Sequence, residues 1–410
     1  MKKPASGVLL AAGLFLGACG PAGDRAEGPG DTLFLQTSSG IATFETGAGS
    51  PTYSGTGAVA SSGWSTIVQA TLVQSIGREA STRIEAVDPL TGKILWERTV
   101  AGRLRVKVVS EDGNLVVLAP RNERHHLFGR RDTTWVIVDA RKRGARTIEI
   151  SRNVEPEAFS TDGRSLFVLL YTPSRAPTNY QVRRLDLATE GLMEVFTPDA
   201  HLQKSMRGTA RIQAMSPDGT RLYTLYTVGR GRRAHAFIHT LDLEQLWAHC
   251  TDLPHKFARA NEWSTDITVS ADGERAYIVD SALRAVAEMD TEALEVTRTA
   301  RVDFGGGSST HAITGPRDAL YVSSGRHLTA VDPETLVEGR SWSMEQRITG
   351  VQTGAGGTRL YVGLRNRVEI LDPVTGRAMA SLDPPGVQRI ALLGTGARRM
   401  DDYQSLTCAC

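Results

Sequence analysis

A Ser-x-Asp-Gly tetrapeptide recurs four times along the chain, at Ser110-Glu111-Asp112-Gly113, Ser160-Thr161-Asp162-Gly163, Ser216-Pro217-Asp218-Gly219 and Ser270-Ala271-Asp272-Gly273. Each copy lies between two short runs that read as β-strands, such as Leu222-Tyr223-Thr224-Leu225-Tyr226 and Arg275-Ala276-Tyr277-Ile278-Val279. One four-stranded unit is therefore used repeatedly. A period of roughly 40 to 55 residues marks an all-β fold, a single β-propeller of four-stranded blades.

A second repeated element counts the blades. An acidic residue recurs where the third strand of each unit turns into the fourth: Glu45, Asp88, Asp139, Asp186, Asp242, Asp290, Asp332 and Asp372. Its best-formed copies are Asp88-Pro89-Leu90-Thr91-Gly92 and Asp372-Pro373-Val374-Thr375-Gly376. There Asp accepts turn amides, Pro presets φ and Gly takes a positive φ, so these acids are structural. Eight acids imply eight blades; seven is the alternative, because residues 47–63 are rich in Gly and Ser and mark their strands poorly. The first unit lacks an inner strand, while Val387 to Leu393 is a spare one. The expectation is that this late strand joins the strand beginning at Thr32-Leu33-Phe34-Leu35 and closes the ring without a free edge.

Lys2 and Lys3 precede an apolar run from Val8 to Leu16 that is too short to span a bilayer, as in a signal peptide. The run ends in Leu16-Gly17-Ala18-Cys19, which resembles the lipobox of bacterial lipoproteins. That resemblance implies lipidation of Cys19 and an extracytoplasmic, membrane-anchored protein; with Gly20 following, outer-membrane sorting is favoured in a two-membrane cell. The domain plan is then a signal peptide over residues 1–18, a Gly/Pro-rich tether over 19–30, the propeller over 31–395 and a tail over 396–410. A net charge of +2 argues against nucleic acid as partner. Forty of the 47 basic residues are arginine, which is attributed to base composition.

The units Leu222 to Asp242, Arg275 to Asp290 and Leu360 to Gly376 resemble the YVTN and WD40-like repeats of exported bacterial propellers. One unit differs: Ala86-Val87-Asp88-Pro89-Leu90-Thr91-Gly92-Lys93-Ile94-Leu95-Trp96 is similar to the blade motif of quinoprotein (PQQ-type) propellers, whose Trp docks one blade on the next. At that spacing the Trp occurs once. No cofactor is expected, with pyrroloquinoline quinone or a divalent metal as the minor alternative. Such repeats specify a fold and not a function.

Loops carry more functional information. In a four-stranded meander the connection between the second and third strands shares a face with the connection between blades. Three consecutive units have long second-to-third loops, at 121–131, 172–177 and 229–233, and two inter-blade loops contribute His201, Lys204 and Arg207, then His255, Lys256, Arg259 and Trp263. The candidate partner-binding residues are Arg121, Arg124, His125, His126, Arg130, Arg131, Arg230, Arg232, Arg233, Lys256 and Trp263. A basic and aromatic sector of this kind suits an envelope protein, an anionic polymer or lipid head groups.

Catalysis is the alternative, of the lactonase or quinoprotein dehydrogenase type at the channel mouth. The inner strands offer Arg105, Lys107, Glu157, Gln213, Asp266, His311, Gln352 and Gln388, which read as a hydrated channel lining. Asp266 and His311, from neighbouring units, are the weak catalytic candidates. No metal site is assigned, and a binding role is favoured over an enzyme. Beyond Cys19, the odd set Cys250, Cys408 and Cys410 leaves disulfide pairing open.

Overall fold

The computed structural model describes residues 31–394 apart from 38–39, 48–49, 74–78, 198–205, 308, 316–318, 355 and 384–390. Cys19, the tether, His201, Lys204, Gln388, Cys408 and Cys410 lie outside the described residues.

Eight four-stranded antiparallel sheets follow one another around a ring. Blade 1 is built from Thr32–Gln36, Gly40–Glu45 and Tyr53–Thr56, with Ala391–Gly394 as its inner strand. Leu35 pairs with Leu392 and Gln36 with Ala391, so the two ends of the chain complete one sheet, as expected. Blades 2 to 8 begin with the inner strands Val59–Ala60, Leu104–Val109, Asn153–Phe159, Thr209–Met215, Thr265–Val269, Thr310–Thr314 and Gly350–Thr353.

Burial follows position within a blade. Second strands such as Leu320–Ser324 are buried at every residue, because both of their faces pack between neighbouring blades. Outer strands such as Glu295–Arg301 alternate exposed and half-buried residues with the period of two that one covered face imposes. The apolar clusters accordingly cross blade boundaries. Tyr223, Leu225 and Ile238 of blade 5 pack with Ile267, Ile278 and Met289 of blade 6. Full burial of one such side chain contributes about 1.5–3 kcal/mol.

The Ser-x-Asp-Gly turns and seven of the eight acidic turns behave as the sequence requires, Asp139 accepting Lys142 N at 3.1 Å. Ser110, Ser160, Ser216 and Ser270 donate to the Asp two residues on at 2.5–2.6 Å and accept the amide five residues on, closing the turn between first and second strands. Asp88, Asp186, Asp242, Asp290, Asp332 and Asp372 accept turn amides, for example Val374 N at 2.9 Å and Thr375 N at 2.7 Å.

These turns also join the blades. Trp96 Nε1 donates to Gly113 O at 3.2 Å, docking blade 2 on blade 3, and Trp342 Nε1 donates to Thr375 O at 3.1 Å, docking blade 7 on blade 8. Arg146 reaches Leu187 O, Arg221 reaches Thr291 O at 2.6 Å and Arg298 reaches Pro333 O at 2.8 Å. Each runs from one blade to a turn of the next. Arg146, Arg221 and Arg298 therefore work as inter-blade clamps, whatever the origin of the arginine content in base composition.

Candidate functional site

The inner strands of blades 3, 4 and 5 share a feature that no other inner strand shows among the described residues. Each has a β-bulge with a charged residue at it: Lys107, Glu157 and Arg211. A bulge re-aims the side chain it carries. Lys107 turns to Glu155 of blade 4, and Gln213 of blade 5 donates to Glu157 at 2.9 Å. Arg211 pairs with Glu262 of the next inter-blade loop at 3.1 Å.

Onto this seam folds the long loop of blade 3, between Leu115–Pro120 and Thr133–Asp139. Its Arg130 lies 2.7 Å from Glu155 and 2.7 Å from Glu123 and also donates to Val154 O. His126, at the start of a one-turn 3-10 helix, places Nδ1 3.5 Å from Glu155. Arg121 fixes the base of the loop by donating to Leu104 O at 3.0 Å and Ala70 O at 3.1 Å. Asn153 then ties two loops together, donating to His126 O at 2.9 Å and to Ser174 O at 3.4 Å in the loop of blade 4.

The electrostatics of this cluster are nearly balanced. Burial raises the Glu155 carboxyl, but the His126 contact and the Lys107 and Arg130 charges outweigh it and hold the group well below the usual carboxylate range. Glu157 goes the other way: burial, with Glu155 nearby, pushes it up to about 7 against the Gln213 hydrogen bond. Burial also raises Glu123 and lowers His126. A cluster compensated in this way positions its loops; it is not itself a free positive patch.

An aromatic ladder runs beneath the same loops. Ring centroids separate His126 from Tyr171 by 4.5 Å, Tyr171 from Tyr180 by 6.1 Å, Tyr180 from Tyr226 by 5.3 Å and Tyr226 from Phe237 by 5.4 Å, linking blades 3, 4 and 5. The loops rest on a packed aromatic floor.

The structure divides the candidate residues. Arg124, Arg131, Arg230, Arg232, Arg233 and Trp263 are exposed, and His125 is half-buried. His126 and Arg130 are buried, a correction to their reading as surface charges: each faces Glu155 and serves the interior. Lys256 is half-buried and its amine is lowered by burial; it donates to Ala300 O at 3.4 Å. Beside them the sequence reading missed Leu127 and Phe128, 51% and 61% exposed on the helical turn, comparable with Trp263 at 56%.

Three of the inner-strand residues need a similar correction, while Arg105, Lys107, Gln213 and His311 are half-buried. Glu157, Asp266 and Gln352 are buried between blades and are not a hydrated lining. Asp266 accepts Ile267 N at 2.9 Å and, across the seam, Ala312 N at 2.6 Å, next to His311, whose Nε2 is 3.2 Å from Ser309 Oγ. Among the described residues no group of three or more His, Cys, Asp or Glu side chains is arranged to hold a metal ion.

No protein-family model matches the sequence, and no curated protein matches it. Solved structures do match in fold. Apo AztD from Citrobacter koseri aligns over 88% of this chain and 98% of its own, with a TM-score of 0.54 at 13% identity. The dihydro-heme d1 dehydrogenase NirN in complex with DHE aligns over 78% and 64%, with a TM-score of 0.47 at 14% identity. A 6-phosphogluconolactonase-like protein of Bacteroides uniformis aligns over 89% and 100%, at 0.47 and 16%. At 13% identity the likeness to AztD concerns the propeller fold alone.

Proposed function

We propose that this propeller is an envelope binding module, anchored through lipid on Cys19, whose partner is an acidic protein surface that docks on the loop face of blades 3 to 6. One observation carries the reading. Leu127 and Phe128 are held outward at the tip of a loop whose base is locked by Arg130, Arg121 and Asn153. Exposed apolar anchors on a preformed loop are what an interface core requires, because little ordering entropy remains to be lost on binding. Around them stand Arg124, Arg131, Arg230, Arg232 and Arg233, with Asp132 also exposed, which favours an acidic partner and gives a salt-sensitive association. Recognition proceeds by contact, with no bond made or broken.

The test is a photo-crosslinking residue in place of Phe128 in living cells, with the same residue in place of Val374, 50% exposed on a turn between third and fourth strands, as control. The reading expects a discrete protein adduct from position 128, weakened by added salt and by Arg232→Ser with Arg233→Ser. Equal adducts from both positions, or none from 128, would refute it. The anchor is checked separately: labelled palmitate should enter the wild-type chain and not Cys19→Ala.

A further inference from the structure

The seam between blades 4 and 5 holds a second constellation, which includes Met206 of the inter-blade loop that also carries Arg207. Met206 Sδ lies 3.9 Å from Cys250 Sγ. Cys250 is paired directly opposite His239 in the outer half of blade 5, so the two side chains share one face of the sheet, with Cβ atoms about 4.5–5.5 Å apart. His239 is only 2% exposed, and its Nε2 is buried with no hydrogen-bond partner. His239 and Met206 line one cavity of about 30 Å³, together with Val182, Arg183, Val195, Thr197 and Ala248; Cys250 is not part of its wall. A buried ring nitrogen left unsatisfied is costly, and a ligand in this cavity would relieve it.

We propose that Met206, His239 and Cys250 form a binding site for a soft monovalent metal ion of the Cu(I) type. The donor set decides the class: a thiol, a thioether and an imidazole suit a soft ion, whereas Ca²⁺ and Mg²⁺ require oxygen ligands. Geometry agrees. Two metal–sulfur bonds of about 2.3 Å, the length found for zinc thiolates, span a separation of 3.9 Å at an angle of about 116°, close to trigonal. The one carboxylate lining the cavity, Glu194, is 3.5 Å from Arg183. Met206 and Cys250 are half-buried. This site stands independently of the docking face.

The full-length chain carrying Cys19→Ser, Cys408→Ser and Cys410→Ser, so that no other thiol competes, is titrated anaerobically with Cu(I) against the chelator bicinchoninate. One equivalent should be withdrawn from the chelator, and X-ray absorption should give a shell of two sulfurs and one nitrogen. Met206→Leu and Cys250→Ser should each weaken binding at least tenfold, with circular dichroism confirming that both variants fold. A chain that withdraws no Cu(I), an affinity unchanged in Met206→Leu, or a shell without two sulfurs would overturn the site; the absorption result does not depend on any variant folding.

Discussion

Arg130, from a loop of blade 3, and Glu155, on the inner strand of blade 4, lie 2.7 Å apart, both largely removed from solvent. The pair joins the display loop to the ring. Removing one partner of a buried pair leaves the other charge uncompensated, at a cost of about 3–5 kcal/mol. Arg130→Ser is therefore expected to lower the urea midpoint strongly. Arg232→Ser and Arg233→Ser, on exposed positions, should change stability by no more than about 0.5 kcal/mol.

Glu157 gives a pH signature. Its carboxyl is raised from 4.5 to about 7 by burial, so the folded state holds the proton more tightly than the unfolded chain. The stability this group allows is complete below pH 4.5 and is lost as the pH rises to about 7, a change on the order of 3 kcal/mol. Glu157→Gln should remove that loss. Unfolding of variant and wild type compared at pH 4 and pH 8 checks it: the variant's advantage should be present at pH 8 and absent at pH 4.

Gly129 has φ of 71°, and a Cβ there would lie 2.1 Å from Arg175 O of the neighbouring loop. Gly129→Ala is expected to part the loops of blades 3 and 4 at a cost above about 1 kcal/mol. Limited proteolysis should then cut within residues 172–178 faster than in wild type.

Trp96 and Trp342 dock different pairs of blades through one indole hydrogen bond each. Replacement by Phe keeps most of the apolar contact and removes the donor. Each change should cost about 1 kcal/mol. The double variant should show their sum, because the sites share no partner; thermal unfolding measures all three.

The fold was legible because its turns are chemical. A Ser that must reach an Asp two residues on, and an Asp that must accept two amides, cannot be replaced freely, so they repeat visibly in the sequence. Ring closure followed from the missing first strand and the spare last one. The site was legible only in part. The long loops of blades 3 to 5 mark the face, but composition does not say which arginine turns inward: Arg130 and Arg131 are adjacent, one buried and one exposed. The bulges at Lys107, Glu157 and Arg211 left no local signature, since a bulge is set by pairing with the neighbouring strand. Glu155 had one available signal, since it and Glu157 are the two charged residues of their inner strand and flank Pro156. Trp342 escaped notice because it stands ten residues after Asp332, against eight from Asp88 to Trp96, and its indole bonds to the third-to-fourth-strand turn of the next blade where Trp96 bonds to the first-to-second-strand turn.

The most direct test of the docking face is recovery of the partner from whole cells with a general chemical crosslinker, compared between wild type and Leu127→Ser, Phe128→Ser, Arg232→Ser, Arg233→Ser in one chain that retains Arg130. The account predicts an unchanged unfolding midpoint and loss of a specific partner whose wild-type recovery already falls with rising salt. A partner recovered equally by both chains, with the same salt dependence, would contradict it.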